Sequence, residues 1–208
     1  MQPTQPTQPT RTGPTRREQI LNEAAQLFAE RGFHGVGVDE IGAAVGISGP
    51  GLYRHFPGKD AMLAELLVGI SGRLLAEGKR RVAQAADSAA ALDALVRGHA
   101  DFALDDRPLI ILHDRELDRL RDSDRKLVRQ LQRQYVELWV EVVAKEHPDA
   151  PEDEVRAAVH AVFGLLNSTP HLGPHIGAQG GLPGREAAGA LLHRLALGAF
   201  AALDRSAN

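Results

Sequence analysis

Apolar residues recur at helical spacing along most of the chain, and no stretch alternates strictly between apolar and polar residues. Large apolar side chains return every three or four residues in the stretches 20–28, 62–74, 155–166 and 191–203. This pattern predicts an all-α protein. We expect helices at about residues 16–31, 59–86, 88–105, 107–120, 123–146, 151–168 and 184–204, with two short helices between residues 38 and 56.

Two short apolar stripes flank a glycine in the segment 36–59. Val38, Ile41 and Val45 share one edge of a first short helix, and Gly46 then supplies the backbone freedom that a sharp turn needs. Ser48 is a suitable cap for the second helix. Two short helices about such a turn form a helix-turn-helix, whose second helix enters the major groove of DNA. The same spacing occurs in helical hairpins that bind no DNA, so the spacing alone leaves both interpretations open.

The helix that precedes this motif has a clear start and end. Thr15 and Glu18 have the spacing of a capping box, and Gly32 ends the helix, whose apolar face is expected to brace the helix-turn-helix. The segment 1–15 opens with three Gln-Pro-Thr repeats, so we expect a disordered extension. Arg16 and Arg17 lie where this extension ends and are placed to follow phosphates or to enter the minor groove.

The segment 17–67 resembles the DNA-binding domain of the TetR family of transcriptional regulators. The residues that carry the resemblance include Phe28, Gly32, Phe33, Val38, Asp39, Glu40, Ile41, Gly46, Ile47, Ser48, Leu52, Tyr53, Arg54, His55, Phe56, Lys59, Asp60 and Leu63. The resemblance implies an N-terminal three-helix helix-turn-helix domain, joined by a long helix to a larger helical domain for ligand binding and dimerisation. It also implies a regulator rather than an enzyme.

The resemblance implies DNA contacts around the turn and at the start of the first helix. The expected DNA-binding residues are Arg16, Arg17, Gly37, Ser48, Gly49, Pro50, Gly51, Tyr53, Arg54, His55 and Lys59. The stretch 49–51 faces base edges in relatives but offers no side-chain donor here, whereas Arg54 is a donor for guanine or phosphate. Gly37 stands where relatives often carry a capping threonine that touches phosphate. Specificity is therefore expected to rest on few direct contacts together with DNA shape.

Three segments are expected: a disordered extension at 1–15, a helix-turn-helix domain at 16–60, and a ligand-binding and dimerisation domain at 61–208. The helix predicted from residue 59 is long enough to belong to both domains. Its length fits a rigid element that transmits a change between them, and it fits a plain connecting helix equally well. The expected partners are a pseudo-palindromic operator in double-stranded DNA, a small-molecule effector and a second copy of the chain.

Polar or aromatic residues that interrupt apolar stripes are the candidates for ligand contacts, because ligand sites combine apolar walls with a few polar anchors. The candidates are His99, Phe102, His113, Trp139, Phe163, Asn167 and His171. Each is also explained as a satisfied residue of the protein core. The segment 32–56 further resembles actinobacterial family members that control the breakdown of acyl-CoA, fatty acids or branched-chain amino acids. That resemblance implies a largely apolar effector of acyl-CoA type.

The last two predicted helices carry a candidate dimer interface. Their apolar stripes and many small residues permit close helix approach, and the family resemblance implies a four-helix interface built from two such helices of each subunit. The expected interface residues are Val159, Val162, Leu166, Leu192, Leu195, Ala199 and Phe200. Burial within one chain is the competing explanation for the same stripes.

Composition and charge narrow the classes of function. The formal charge is −3, so DNA contacts must come from local placement rather than from a general basic surface. Cysteine is absent, which fits a cytoplasmic protein without disulfides. We expect no signal peptide, membrane span or cofactor. We also expect no metal site, because Gly173 and Pro174 between His171 and His175 prevent one helical turn from presenting both rings. No catalytic motif is present.

The function expected from these observations is a homodimeric transcriptional repressor that a small, largely apolar effector releases from its operator. The alternative is a helical ligand-binding or interaction module whose helix-turn-helix is non-functional. An electrophoretic shift with the DNA upstream of its own gene separates the two.

Overall fold

A computed structural model describes residues 13–172 and 184–205, and these residues form nine α-helices and no strand. The all-α class predicted from the sequence is confirmed. The helices are α1 (Arg16–Arg31), α2 (Val38–Ala44), α3 (Gly49–Leu52), α4 (Lys59–Gln84), α5 (Ser88–Asp105), α6 (Arg107–Glu116), α7 (Asp122–Glu146), α8 (Glu152–Leu166) and α9 (Arg185–Phe200). Short 3₁₀ turns lie at Leu117–Arg119, Thr169–Leu172 and Leu203–Arg205.

The chain divides into two compact units. Unit 1 ends at Met62 and holds α1, α2, α3 and the first turn of α4, whereas unit 2 begins at Leu63 and holds the remainder. The helix α4 therefore supplies residues to both units. Most of the predicted extension 1–15 lies outside the described residues, as does the stretch 173–183 with His175.

Local sequence signals set the ends of the helices in unit 1. The hydroxyl of Thr15 accepts a hydrogen bond from the backbone N–H of Glu18, and the Glu18 carboxylate accepts from the Thr15 N–H at 2.7 Å. The predicted capping box is therefore present. Gly32 closes α1 at a φ of 74°, and Gly46 makes the turn between α2 and α3 at a φ of 71°. Both angles lie in the left-handed region that glycine adopts without steric cost.

The core of unit 1 fixes the position of the short helix α3. Phe28, Ile41, Leu52 and Phe56 are all buried, and the Phe28 ring lies 5.2 Å from the ring of Phe33. A helix of four residues has too few internal hydrogen bonds to be stable alone. Each buried large apolar side chain contributes roughly 1.5–3 kcal/mol. The orientation of α3 therefore depends on Leu52 and Phe56.

Unit 2 is a helical bundle in which α5 and α8 each pack against both α7 and α9. Trp139 and Phe200 are fully buried in its core, with ring centroids 6.3 Å apart. The helices α4 and α7 approach each other at Gly78, where a β-carbon would come within 2.8 Å of the Tyr135 ring. A larger residue at position 78 would therefore displace Tyr135.

Polar side-chain contacts link α9 to α5. Arg185 donates to Asp105 at 2.7 Å and to Asp101 at 3.1 Å. About two turns further along α9, Nε2 of His193 lies 2.7 Å from the Asp93 carboxylate. Exposed pairs of this kind contribute only about 0–1 kcal/mol each, so they orient α9 rather than stabilise it strongly.

The structure corrects the predicted dimer interface. Five of the expected residues are buried in the core of their own chain, which leaves them little surface for a second copy. These five are Val159, Val162, Leu166, Leu192 and Phe200. The stripes that suggested an interface therefore follow the competing explanation, burial within one chain. Leu195 and Ala199 are exposed on the other side of α9.

The end of α6 differs from the prediction. The helix predicted at 107–120 ends earlier than expected, because α6 stops at Glu116 and a 3₁₀ turn follows. Glu116, the last residue of α6, is buried although it is acidic, and it accepts a hydrogen bond from Arg119. Within the described ranges, no helix is long and apolar enough to cross a membrane.

Candidate DNA-binding surface and ligand cavity

The short helix α3 presents two exposed side chains where it ends. Ser48 caps the helix by accepting a hydrogen bond from the N–H of Gly51 at 3.3 Å, as predicted. Leu52 is buried, which leaves the 56% exposed Tyr53 and the exposed Arg54 on the outside. Arg54 forms no hydrogen bond or ion pair with any described residue. An exposed phenol beside an unpaired guanidinium is suited to contacts with phosphates and base edges.

The glycine at the start of α3 has a packing role. Gly49 is buried, and a β-carbon at this position would collide with the carboxylate of Asp39 in α2. A side chain at position 49 would therefore require the Asp39 side chain to move, and the contact of Gly49 with base edges stays a prediction. Gly51 is half-buried and uses its N–H in the cap, whereas Pro50 is exposed. Within this stretch Pro50 is the residue available for an apolar contact with DNA.

Lys59 is turned into unit 1. Its ammonium group donates hydrogen bonds to the carbonyl oxygens of Phe33 at 2.8 Å and Val36 at 2.6 Å, and it lies 4.7 Å from the centroid of the Phe33 ring. These carbonyls belong to the loop between α1 and α2, so Lys59 ties the start of α4 to that loop. Two of its three donors are therefore occupied within unit 1, and the phosphate contact of Lys59 stays a prediction.

The other predicted DNA-binding residues surround α2 and α3. The guanidinium of Arg17 donates to the carbonyl of His55 at 2.5 Å and lies 4.0 Å above the centroid of the Phe56 ring. Arg16 donates to the carbonyl that ends α2 at 2.8 Å. Gly37 caps α2, and its N–H donates to the carboxylate three residues later at 3.3 Å. Both arginines stay exposed, and their contacts with DNA remain predictions.

Unit 2 contains a cavity of about 580 Å³ lined by residues of α4, α5, α6, α7 and α8. Small-molecule sites typically measure about 300–1,000 Å³, so this volume suits a ligand of drug or metabolite size. The apolar part of the wall comes mainly from α4, α6 and α7. Its aliphatic residues are Ile70, Leu74, Leu109, Ile110 and Val136.

The cavity brings together five of the seven predicted ligand residues. These are His99, Phe102, His113, Phe163 and Asn167. Trp139 and His171 do not line it, which corrects the prediction for both. Trp139 is fully buried and packs against Phe163 with ring centroids 4.9 Å apart. His171 is exposed in the 3₁₀ turn after α8.

Among the polar residues that line the cavity from α7, from α8 and from the residue that ends α8, sequence reasoning found Asn167 and missed the others. On α7 the spacing i, i+3, i+4 and i+7 gives Arg129, Gln132, Arg133 and Val136. On α8 the spacing i, i+4, i+7 and i+11 gives Arg156, His160, Phe163 and Asn167. Residues at these spacings share one helix face. A search for polar residues that share a face next to a buried stripe would have found them.

The most buried polar side chain of the cavity wall is His99. It is 3% exposed, its Nε2 lies 3.0 Å from Oδ1 of Asn167, and its Nδ1 lies 3.4 Å from the hydroxyl of Tyr135. Burial lowers the pKa of His99 from 6.5 to about 4, with the hydrogen bond to Asn167 acting in the opposite direction. Burial also raises the pKa of Tyr135 to about 12. At neutral pH this part of the wall, which we call the inner wall (His99, Tyr135 and Asn167), is polar but uncharged.

Aromatic rings hold His99 in place. The ring centroid of His99 lies 5.1 Å from Phe163 and 5.5 Å from Phe102, and it stacks on Tyr135 at 5.8 Å. Packing on several sides leaves the imidazole little room to rotate. The positions of the two ring nitrogens of His99 are therefore fixed before any ligand arrives.

The exposed edge of the cavity is charged, and we call it the rim (Asp114, Arg129, Arg133, Glu137 and His160). Arg156 of α8 makes two hydrogen bonds with Glu137, at 2.6 Å and 3.0 Å. Arg129 lies 3.3 Å from Asp118. Arg133 forms no ion pair with any described residue. The rim thus holds one guanidinium that a bound anionic group can neutralise.

The arrangement of the cavity is that of a binding site for an amphipathic molecule. Its aliphatic wall accommodates an apolar body, the rim offers a cation, and the inner wall offers neutral hydrogen-bonding groups. In the part of the chain that the structure describes, no three His, Asp or Glu side chains are grouped so that they could hold a metal ion.

Comparison with known proteins assigns both units to one family. Residues 20–66 match the family model described as "Bacterial regulatory proteins, tetR family". Residues 85–171 match the model described as "Tetracyclin repressor-like, C-terminal domain". The first match contains the helix-turn-helix, and the second contains α5 to α8 and most of the cavity wall. The two models together span well over half of the chain.

Two curated relatives show what similar proteins do. The HTH-type transcriptional repressor KstR2 of Rhodococcus jostii is 33% identical over 129 residues, which are 62% of this chain and 63% of that protein. The HTH-type transcriptional activator FasR of Mycolicibacterium smegmatis is 33% identical over 87 residues, which are 42% of this chain and 40% of that protein. The chain thus spans less than two thirds of the length of the curated relatives that it matches.

A solved structure extends the likeness over most of the chain. The ketosteroid transcriptional regulator KstR2 of Mycobacterium tuberculosis has a TM-score of 0.74 at 25% identity, covering 90% of this chain and 95% of that chain. The helix-turn-helix, the cavity-bearing helical unit and both family models agree with this likeness. The chain belongs to the TetR family of bacterial regulatory proteins, which are transcription regulators and not enzymes.

Proposed function

We propose that the chain is a cytoplasmic, DNA-binding transcriptional repressor that acts as a homodimer. A small, largely apolar effector of acyl-CoA type releases it from its operator. The observation that carries this proposal is the presence in one chain of a helix-turn-helix with exposed Tyr53 and Arg54 and of a cavity of about 580 Å³. Repression is favoured over activation because the match to the repressor KstR2 is longer than the match to the activator FasR.

DNA reading is assigned to a small set of exposed residues. Arg54 supplies the donor for guanine or phosphate, Tyr53 supplies a phenol, and Pro50 supplies an apolar surface for a thymine methyl group. Gly49 and Lys59 support this surface from inside unit 1. Because few side chains reach the bases, DNA shape contributes much of the specificity.

Dimerisation is assigned to the exposed sides of α8 and α9, which we call the dimer face. The dimer face consists of Ala157, Ala161, Gly164, Leu191, Leu195 and Ala199. The described residues expose four large hydrophobic side chains, and two of these, Leu191 and Leu195, lie on α9. Small residues on α8 beside them permit a second pair of helices to approach closely. A self-complementary face of this kind supports a two-fold dimer, which matches a pseudo-palindromic operator.

The effector is assigned to the cavity of unit 2. The aliphatic wall suits an acyl chain, and Arg133 at the rim suits the phosphates of a coenzyme A moiety outside the wall. The name of KstR2, a ketosteroid transcriptional regulator, also supports a mainly hydrocarbon ligand. A ligand of this type would bury apolar surface against α4 and α6 while its charged part stays at the rim.

Control requires that the effector prefer a conformation that does not fit DNA. Successive major grooves on one face of B-DNA lie about 34 Å apart, so the two recognition helices must keep that spacing for the dimer to bind. The effector can only shift the population by as much as its affinity differs between the two conformations. The helix α4 supplies Lys59 to unit 1 and Ile70 to the cavity, so it is the chain segment that joins the two functions.

The test combines selection of the operator with a release assay. Genomic fragments that the protein retains are sequenced, and an electrophoretic shift is measured on the selected operator with and without lauroyl coenzyme A. The proposal predicts a shift that lauroyl coenzyme A abolishes. A protein that retains no specific fragment would favour the rival, a helical ligand-binding module with a non-functional helix-turn-helix. A shift that no acyl coenzyme A alters would contradict the effector class.

A further inference from the structure

We propose that Asn167, held by His99 and Tyr135, makes the cavity selective for effectors whose buried part carries an uncharged oxygen, a hydroxyl or a carbonyl. Within the acyl-CoA class the preferred ligands are then oxygenated acyl groups rather than plain alkyl chains. This inference rests on the proposed effector role of the cavity and specifies the chemistry of the ligand at its inner wall.

The position of the one ring proton of neutral His99 decides which groups of the inner wall donate and which accept. Neutral His99 has one ring N–H, and Nε2 is the nitrogen that faces the Asn167 oxygen at 3.0 Å. His99 therefore donates from Nε2 to Asn167 and accepts at Nδ1 from the hydroxyl of Tyr135, 3.4 Å away. The chain of hydrogen bonds runs in one direction, from Tyr135 through His99 to Asn167.

This direction leaves the amide nitrogen of Asn167 as the donor that faces the cavity. The Asn167 oxygen is occupied by His99, and no described residue accepts a hydrogen bond from the amide nitrogen. Asn167 is held in place because it ends α8, and its backbone N–H donates to the carbonyl of Phe163 at 2.9 Å. Two amide hydrogens directed at a ligand call for an oxygen that accepts.

The other buried hydroxyl of the cavity wall is already used. Ser71 is buried, and its Oγ donates to the backbone carbonyl of Leu67 at 2.8 Å within α4. Its hydrogen is therefore not available to a ligand. This contrast separates Asn167 from Ser71, although both line the same cavity.

The inner wall also discriminates between neutral and charged oxygens. His99 stays neutral because burial favours the uncharged ring, so it cannot compensate a carboxylate. The lining cations Arg129, Arg133 and Arg156 belong to the rim or to its ion pairs. An acid bound in the cavity therefore places its carboxylate at the rim and its other end at the inner wall.

A plain hydrocarbon end fits this wall poorly. It would displace solvent from the Asn167 amide without replacing the hydrogen bonds, and a buried donor left without an acceptor is unfavourable. A hydroxyl at the same place restores the acceptor. A site built to hydrogen-bond a ligand oxygen rejects the analogue that lacks it more strongly than an apolar pocket rejects an extra group.

The experiment compares lauric acid with ω-hydroxylauric acid, which differ only by a hydroxyl at the end remote from the carboxylate. Binding is followed by the fluorescence of Trp139, the one tryptophan of the chain, which packs against Phe163 of the cavity wall at 4.9 Å. Calorimetry supplies the affinities. Wild-type protein should bind the hydroxy acid about tenfold more tightly, which corresponds to one hydrogen bond.

Two variants remove the polar groups with little change of volume. Asn167→Leu removes the amide and should abolish or reverse the preference. His99→Phe keeps a ring in the aromatic cluster and frees the Asn167 oxygen, so it should reduce the preference. Val136→Ala in the aliphatic wall and Arg133→Gln at the rim serve as controls, because each should weaken both acids and leave their ratio unchanged.

The outcomes separate this inference from the proposed function. Equal affinity of wild-type protein for the two acids, or a tenfold ratio that survives both Asn167→Leu and His99→Phe, would overturn the assignment of Asn167 while the cavity remains the effector site. Failure of both acids and of lauroyl coenzyme A to bind wild-type protein would overturn the effector role of the cavity and this inference with it. The expected result is loss of the ratio in Asn167→Leu and a smaller ratio in His99→Phe, with the wild-type ratio kept in both control variants.

Discussion

The two units use their polar side chains in opposite ways. In unit 1 the cations Lys59, Arg16 and Arg17 donate to backbone carbonyls, and Ser48 caps its own helix. In unit 2 the cavity wall keeps donors that no described residue accepts from, at Asn167 and Arg133. Polar groups that hydrogen-bond to one another make a surface rigid. Donors that have no acceptor within the protein are available to bind a ligand. Side chains whose hydrogen-bonding groups remain available are therefore few in unit 1, whereas in unit 2 they lie around the cavity.

The largest expected effect comes from breaking the dimer face. Replacing both Leu191 and Leu195 with glutamate should give folded monomers, because these side chains are exposed and do not support the core of their own chain. Linking two reading heads raises affinity by roughly 10²–10⁴, so operator affinity should fall by at least a hundredfold. Sedimentation and an electrophoretic shift provide the measurements.

Leu127 supplies the matched control for this prediction. It is an exposed leucine on α7, outside the dimer face. Leu127→Glu should stay dimeric and keep operator affinity. A Leu191→Glu, Leu195→Glu protein that sediments as a dimer would move the interface elsewhere.

The next largest effect is expected from the hydrogen bonds that Lys59 makes within unit 1. Lys59→Ala removes two hydrogen bonds from a charged donor to the carbonyls of Phe33 and Val36. Hydrogen bonds to charged groups contribute roughly 1.5–3 kcal/mol, so the free energy of unfolding should fall by about 2–3 kcal/mol. Urea denaturation measures this change.

Lys79→Ala is the control, since Lys79 is exposed on the same helix. It should leave the free energy of unfolding within about 0.5 kcal/mol of wild type. If Lys59→Ala instead weakens operator binding and its salt dependence while stability is unchanged, Lys59 contacts phosphate and the assignment here is wrong.

Arg54 is the exposed cation of unit 1 that is available to bind DNA. Arg54→Ala should leave the free energy of unfolding unchanged, because Arg54 has no partner among the described residues. Specific operator binding should weaken by roughly 1–3 kcal/mol if the guanidinium reads a base. A titration with the selected operator and with a scrambled one distinguishes this from a phosphate contact, which would weaken both alike.

The smallest expected effect is a pH dependence that originates in the inner wall. Burial lowers the pKa of His99 from 6.5 to about 4 in the folded chain, so the unfolded chain binds the proton first as the pH falls. Above pH 6.5 His99 is neutral in both states and does not lower the free energy of unfolding. As the pH falls from 6.5 to about 4, the free energy of unfolding decreases progressively. Between pH 7 and pH 5 the loss should be about 1–2 kcal/mol.

Comparison with His99→Phe isolates this contribution. The variant lacks the titrating ring, so the difference in unfolding free energy between it and wild type should change over that pH range. A difference that stays constant from pH 7 to pH 5 would show that His99 is not held neutral.

The sequence predicts unit 1 well because its determinants are local. The capping box of Thr15 and Glu18, the glycine turn at Gly46 and the cap at Ser48 each act within a few residues. The inward turn of Lys59 was missed because its acceptors lie 23 and 26 residues away along the chain. Such a contact depends on how the loop after α1 folds back, which periodicity does not encode.

The cavity was only partly predictable for the same reason. His99 and Asn167 stand out as polar residues in apolar stripes, but their contact joins positions 68 residues apart. The apolar stripes of α8 and α9 predicted helices correctly, yet Val159 and Phe200 serve the core of their own chain. A stripe shows that a helix face is buried, and only the packing of neighbouring helices shows which partner buries it.

Ligand-driven release requires a coupling between the cavity and the operator. Calorimetry of lauroyl coenzyme A with the free protein and with the protein bound to its selected operator measures that coupling. Because coupling is reciprocal, the operator must weaken the ligand by the same factor by which the ligand weakens DNA binding. We expect a coupling of at least tenfold, with weaker ligand binding to the operator complex than to the free protein. Equal affinities in the two titrations would contradict ligand-driven release, however tightly the ligand binds.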